Sequence, residues 1–136
     1  MKHVVFFLAT IACMAAASAQ SVNPNVTQAN IATTICVPNW TSTVRPTTSY
    51  TNKYKKQFMQ AQGLDWSLRR QYELDHIVPL AVGGAPKDPK NFLLQPMKEA
   101  AVKDVMEVKY HKLVCSGKIG LRAAQACFLN DWKTCR

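Results

Sequence analysis

A chain of 136 residues, 48% hydrophobic and 18% charged, holds one folded domain of ordinary size and excludes a disordered polyelectrolyte. Five glycines, seven prolines and no internal repeat exclude collagen-like and solenoid architectures. Lys and Arg outnumber Asp and Glu by 17 to 8, a formal charge of +9, which favours a polyanionic partner over a cationic one.

Residues 1–19 read as a cleaved signal peptide. Met1-Lys2-His3 is a short positive start, Val4 to Ala17 is almost unbroken apolar sequence, and Ala17-Ser18-Ala19 gives the small-x-small cleavage pattern. The apolar run is shorter than the ~20 residues of a spanning helix, so the expected product is exported, extracellular or periplasmic, and free of the membrane. Losing Lys2 takes the charge from 17 − 8 to 16 − 8, that is +8. Cys13 leaves with the signal. Cys36, Cys115, Cys127 and Cys135 remain, an even number that suits two disulfides in an oxidising compartment. Of three possible connectivities, the preferred one joins Cys36 to Cys115 and Cys127 to Cys135. A zinc site is disfavoured because no two cysteines form a C-x-x-C pair.

Residues 20–34, rich in Asn, Gln, Ser and Thr, are expected to form a loose arm ahead of a domain spanning 35–136. Asn25-Val26-Thr27 and Asn39-Trp40-Thr41 are glycosylation sequons, relevant only in a eukaryotic source. Pro38, Pro46 and the β-favouring residues between them predict extended structure over 36–50. Tyr54, Phe58, Met59 and Ala61 predict a helix over 52–62, stopped by Gly63. Tyr72 to Val82 reads as a strand, Gly83-Gly84 as a turn, and Asn91 to Leu94 as a second strand. Pro96 opens a helix from Met97 to about Val114, with Met97, Ala101, Val105 and Val108 along one face. Leu121, Ala124, Phe128 and Leu129 predict a last short helix.

The densest chemical signal is Tyr72-Glu73-Leu74-Asp75-His76-Ile77-Val78-Pro79-Leu80, followed by Gly83-Gly84 and Asn91. A lone histidine is more often structural than catalytic. Here it has an acidic neighbour and a downstream Asn on a strand–loop–strand–helix pattern. On the following helix Glu99, Lys103 and Glu107 recur every four residues and share a face, as a site or as ordinary intrahelical ion pairs. His111 is expected on the helix surface, and Trp40, Trp66 and Trp132 as packing residues. Glu73 would support Asp75 or pair with a nearby lysine.

This stretch resembles the His-Asn-His (HNH) endonucleases. It is similar in particular to a group of small exported bacterial proteins with that core, through Val44-Arg45-Pro46, Ser49-Tyr50-Thr51, Glu73-x-Asp75-His76, Pro79-Leu80, Gly83-Gly84, Lys103-Asp104 and Val114-Cys115-Ser116-Gly117. The likeness runs from about Ile35 to Cys127. It implies an α+β chain with a ββα-metal core and extra helices, stapled by disulfides. His76 would be the general base that activates water, oriented by a hydrogen bond from Asn91 to its ring or backbone. Asp75 and Glu99 would hold a divalent metal, Mg²⁺ or Mn²⁺, beside the scissile phosphate. Lys103 would contact phosphate in catalysis, and Arg45 would bind the nucleic acid. The chain departs from the family in lacking paired C-x-x-C motifs and in carrying Glu at the third position. The expected activity is metal-dependent, monomeric, weakly specific hydrolysis of DNA, and of RNA as a further substrate. The alternatives are a non-catalytic nucleic-acid binder on this scaffold and a disulfide-stapled interaction module.

Overall fold

The computed structural model describes residues 21–135, so the signal-peptide reading of residues 1–19 lies outside the described residues. The chain is α+β, with helix α1 (Trp40–Val44), helix α2 (Thr48–Ala61), strand β1 (Tyr72–His76), strand β2 (Phe92–Pro96), helix α3 (Met97–Cys115) and helix α4 (Leu121–Asp131). The strands form one antiparallel pair, with Tyr72 opposite Pro96 and His76 opposite Phe92. Helices α2 and α3 both contact this two-stranded sheet.

Several elements differ from the sequence expectation for local reasons. Residues 36–50 hold helix α1 and the start of α2 instead of extended chain. Thr47, in extended conformation after Pro46, accepts a side-chain hydrogen bond from Tyr50 N and starts α2 four residues earlier than expected. The first strand stops at His76 and does not run on to Val82. Asn91 captures the backbone of Val78, and Leu80–Val82 turns as a short 3-10 helix. Pro96 is the N-cap of α3 with φ −58°, as its fixed ring geometry favours.

Residues 21–34 do not form a loose arm. Ser21, Asn23 and Val26 are buried, Asn23 N donates to Gly83 O at 2.8 Å, and Ala85 N donates to Ser21 O at 3.0 Å. The Gln28 side-chain oxygen accepts from Leu121 N at 2.6 Å and so caps the first turn of α4. Polar side chains here also capture backbone groups, as Asn23, Asn30 and Gln28 do.

The hydrophobic core lies among α3, α4, the loop after β1 and the N-terminal segment. Val26, Ile35, Val78, Val82, Tyr110, Val114, Leu121, Ala124 and Phe128 form one cluster. Leu121, Ala124 and Phe128 recur at helical spacing and turn one stripe of α4 inward. Helix α3 corrects the expectation. Val105 and Val108 are 68% and 54% exposed, and Met97 is also at the surface, whereas Ala100, Lys103, Tyr110 and Val114 face inward. A buried polar anchor, not apolar periodicity, orients this helix. Among the described residues no helix is long and apolar enough to cross a membrane.

Two disulfides secure the layers, in the preferred pairing. Cys36–Cys115 spans 79 residues with Cα atoms 5.6 Å apart and ties the N-terminal segment to the end of α3. Cys127–Cys135 closes the C-terminal turn. Loop-closure entropy for the long bridge is worth about 4 kcal/mol. Both bridges fit an oxidising environment.

Two glycines separate steric from backbone strain. A Cβ on Gly84 would sit 1.8 Å from Val78 O, a backbone atom that the core holds in place, whereas Gly63 has open space and φ +68°. Gly84→Ala should therefore cost at least about 3 kcal/mol of unfolding free energy in urea titration, and Gly63→Ala only about 1–2 kcal/mol. Equal losses at the two positions would contradict the close approach.

Candidate functional site

Strand alternation divides the sheet into two chemically different faces. Tyr72, Leu74 and His76 of β1 share one face with Phe92 and Leu94 of β2, while Glu73 and Asp75 share the other with Leu93 and Gln95. Neighbours in sequence, Asp75 and His76 thus project to opposite sides.

His76 is buried, with 6% of its surface exposed. Its ring meets Phe92 edge-on at 5.3 Å, and Phe92 in turn meets Tyr54 and Tyr50 of α2. Its Nε2 lies 3.0 Å from Pro86 O. A carbonyl has no proton to give, so Nε2 must donate, which fixes the tautomer and leaves the lone pair on Nδ1. No hydrogen bond to Nδ1 is found among the described residues. Burial pushes the His76 pKa below 6.5, opposed by the Pro86 hydrogen bond and Asp75 and reinforced by Arg45 and Lys103. The ring is therefore a neutral proton acceptor at pH 7. Arg45, exposed in the turn between α1 and α2, is near enough for its charge to act on His76.

On the other face the centre is Lys103, which is fully buried. Its ammonium donates to Asp75 Oδ2 at 2.8 Å, to His76 O at 2.7 Å and to Glu107 Oε1 at 2.5 Å. Three acceptors match its three N–H donors. The Phe128 ring lies 5.7 Å from Nζ and adds a cation–π contact. Asp75 is equally committed. Its Oδ1 accepts from His76 N at 2.7 Å, and its Oδ2 also accepts from Gln95 Nε2 at 2.9 Å. The Gln95 Oε1 is buried without a partner among the described residues. Loss of solvent around Glu107 outweighs the pull of Lys103 and, with Asp75 and Asp104 adding repulsion, raises its pKa to about 7. Burial likewise raises Glu73, helped by Asp75 and Asp104 and opposed by Lys103 and Lys55.

These positions correct several expected roles. Lys103 has no exposed surface with which to contact phosphate; it neutralises two carboxylates inside the protein. Asn91 does not touch the His76 ring. Its Oδ1 accepts from Val78 N at 2.8 Å, its Nδ2 donates to Val78 O and Ala85 O, and its own carbonyl accepts from Ile77 N. It shapes the loop behind His76 and is a positioning residue. Glu99 is partly exposed and paired with Lys133 at 3.0 Å, with no contact to Asp75. The intrahelical reading of the Glu99, Lys103 and Glu107 series holds for the last two alone.

The donor set therefore does not fit the expected divalent metal. Asp75 Oδ2 already takes two donors, Oδ1 takes a third, and the intended second ligand, Glu99, is engaged elsewhere. A second group, Cys36, His111 and Cys115, has its ligand atoms within 4.8 Å of one another. Its sulfurs are bonded to each other, and His111, half-buried and not at the surface as expected, holds Ile35 O at 2.8 Å.

Gln95, the Pro86 carbonyl and the Tyr50–Tyr54–Phe92 group around His76 were not legible as site components. Gln95 carried one usable signal, its alternation onto the Asp75 face once the strands are in register. The Pro86 contact depends on loop shape and carried none.

The raised Glu107 pKa gives a signed pH effect. Its folded value lies above the ordinary 4.5, so the folded chain keeps a proton that the unfolded chain releases. That stabilisation is complete below pH 4.5 and is lost as the pH rises through about 7. Glu107→Gln should flatten the fall of urea midpoint between those limits, and an unchanged slope would remove Glu107 as its source. No family model, no curated protein and no solved structure matches this chain.

Proposed function

We propose that this protein hydrolyses phosphodiester bonds of nucleic acid outside the cell, with His76 as the general base. The observation that carries this reading is the His76 ring itself, held as the Nε2–H tautomer by Pro86 O with Nδ1 left free beside a basic group. A water at Nδ1 would give up its proton to the ring as it attacks phosphorus, and the P–O bond to the sugar oxygen would break. That oxygen would leave as an alcohol after taking a proton from solvent, to which the imidazolium later returns its own. Arg45 would receive a phosphate oxygen and offset the charge that develops there. The basic balance, +9 for the full chain and +8 without Lys2, supplies a general attraction for the polyanion without sequence readout, so little specificity is expected for DNA, and RNA is a second substrate to test. No step is assigned to a metal, because the side chains that would hold it are already paired.

The disulfides and the small-x-small cleavage pattern support export to an extracellular or periplasmic space. A monomer would suffice for this reading, since Arg45 and His76 come from one chain. The resemblance to HNH endonucleases supports His76 as the base, while Asp75 serves here as an internal anion and Asn91 holds the loop behind the ring.

One observation favours the non-catalytic nucleic-acid binder, namely that only 6% of His76 is exposed. Cleavage and binding assays distinguish the two. Plasmid and RNA incubated with purified protein, in Mg²⁺ and separately in EDTA, should be cut, and His76→Ala should lose about 10²–10⁴-fold in rate. Binding without cleavage under both conditions supports the binder instead. Since the His76 pKa is lowered, the rate should hold at pH 6.5 and decline only as the pH falls through the folded value. Its stability contribution follows the same sign, intact above 6.5 and lost below. Arg45→Ala should weaken binding and reduce its dependence on salt.

A further inference from the structure

Around Lys103 Nζ converge two carboxylate oxygens, Asp75 Oδ2 and Glu107 Oε1, and one backbone carbonyl, His76 O, all at 2.5–2.8 Å. Hard cations such as Ca²⁺ and Mg²⁺ are held by this kind of all-oxygen donor set. Here the position at its centre belongs to an ammonium that reaches in from α3, two turns after the helix begins at Met97. We infer that Lys103 is the resident cation of this cage, a covalently supplied positive charge standing where a divalent ion would otherwise be held, and that the native protein binds no divalent metal there.

Three features carry the inference. The ammonium is fully buried, so it is a fixed part of the interior and not a mobile counter-ion. Each of its three protons has an acceptor, so it fills the donor set and leaves no coordination position to share. Phe128, 5.7 Å away, closes one side with an aromatic ring that favours a cation but gives a metal no oxygen ligand. The buried acceptor Gln95 Oε1 is a single neutral oxygen, which one water molecule can satisfy. Asp104 acts on the cage through its charge on Glu107 and is not among the hydrogen-bond partners of the ammonium.

The inference concerns cation occupancy and holds whether or not the protein cuts nucleic acid, so its test uses no activity readout. Full-length protein purified through EDTA is titrated with Mn²⁺, followed by electron paramagnetic resonance of free ion and by thermal unfolding. The native chain should leave Mn²⁺ free at stoichiometric concentration and unfold at the same temperature in EDTA and in excess Mn²⁺. Removing the ammonium in Lys103→Ala should open the cage, so that this variant takes up about one equivalent of Mn²⁺ and is stabilised by it. Adding Asp75→Asn to that variant should weaken uptake at least tenfold.

Lys103→Ala also leaves two buried carboxylates without a counter-ion and can fail to fold. A measurement on the native chain covers that case. The Lys103 ammonium should give a ¹⁵N resonance protected from solvent exchange, and added Mn²⁺ should not broaden it selectively. Selective broadening at stoichiometric Mn²⁺, or native uptake of one equivalent that Asp75→Asn abolishes, overturns the inference. So does a folded Lys103→Ala that takes up no Mn²⁺.

Discussion

The interaction on which this structure depends is the burial of one ammonium group between a strand end and a helix. Lys103 reaches from α3 to the carboxylate of Asp75 and the carbonyl of His76, both at the end of β1, and its face toward α4 is covered by Phe128. Moving a charge out of water costs several kcal/mol even after relaxation. That cost is offset here by three hydrogen bonds, by the Asp75 carboxylate and by Glu107 in its ionised form. The anchor also accounts for the rotation of α3. Bringing Lys103 inward places Ala100, Tyr110 and Val114 on the buried side and leaves Val105 and Val108 in solvent. An apolar stripe of moderate strength yields to a buried ion pair that must be satisfied.

The same constraint separates the Asp-His pair into two chemical roles. Asp75 is committed inward, and its Oδ1 also receives the amide of His76. The His76 backbone is therefore gripped from both ends, by Asp75 at its N–H and by Lys103 at its C=O. The ring on the opposite face is positioned by a different set of groups, Pro86 O and the Phe92 edge. Asn91 completes this arrangement from behind, since its side chain fixes both polar groups of Val78 and so determines where the loop carrying Pro86 passes. Apart from His76 Nδ1, the polar groups named here each have a partner. Their cost is low as long as the set stays whole.

How much of this was legible in the sequence follows from which signals are local. The strand–loop–strand–helix order, the Asp75-His76 pair and the last helix were readable, because each rests on short-range periodicity or on residues a few positions apart. The disulfide pairing was reasoned from element ends. The start of α2 was missed because Thr and Val favour strands as single residues, while the Thr47 cap acts through one specific hydrogen bond. Residues 21–34 were misread because their Asn and Gln side chains look solvated until the acceptors they meet, such as Leu121 N, are known. Lys103 is the sharpest case. Its spacing from Glu107 was visible, but burial of a lysine runs against the general preference of that residue for the surface. Only the partners across the sheet make it reasonable.

If His76 acts as the proposed base, the chemistry falls to its Nδ1, since Nε2 is held by Pro86 O. No hydrogen bond to His76 Nδ1 is found among the described residues, and the exposed Arg45 is one of two cations, with the buried Lys103, whose charge acts on the ring. A substrate need not enter a deep cavity to meet Nδ1 and Arg45. It needs an anionic oxygen for the guanidinium and an attackable centre within one water of Nδ1. A phosphodiester on an extended, flexible backbone satisfies both requirements, because phosphate is the most accessible part of the polymer. Low exposure of His76 then acts as a filter on geometry. In the proposed reaction it would limit attack to groups that approach along the Nδ1 direction, and burial keeps the imidazole neutral, the state in which it can accept a proton. Burial of the histidine and its use as a base are thus compatible, provided that the buried cation behind it is held away from the ring by Asp75.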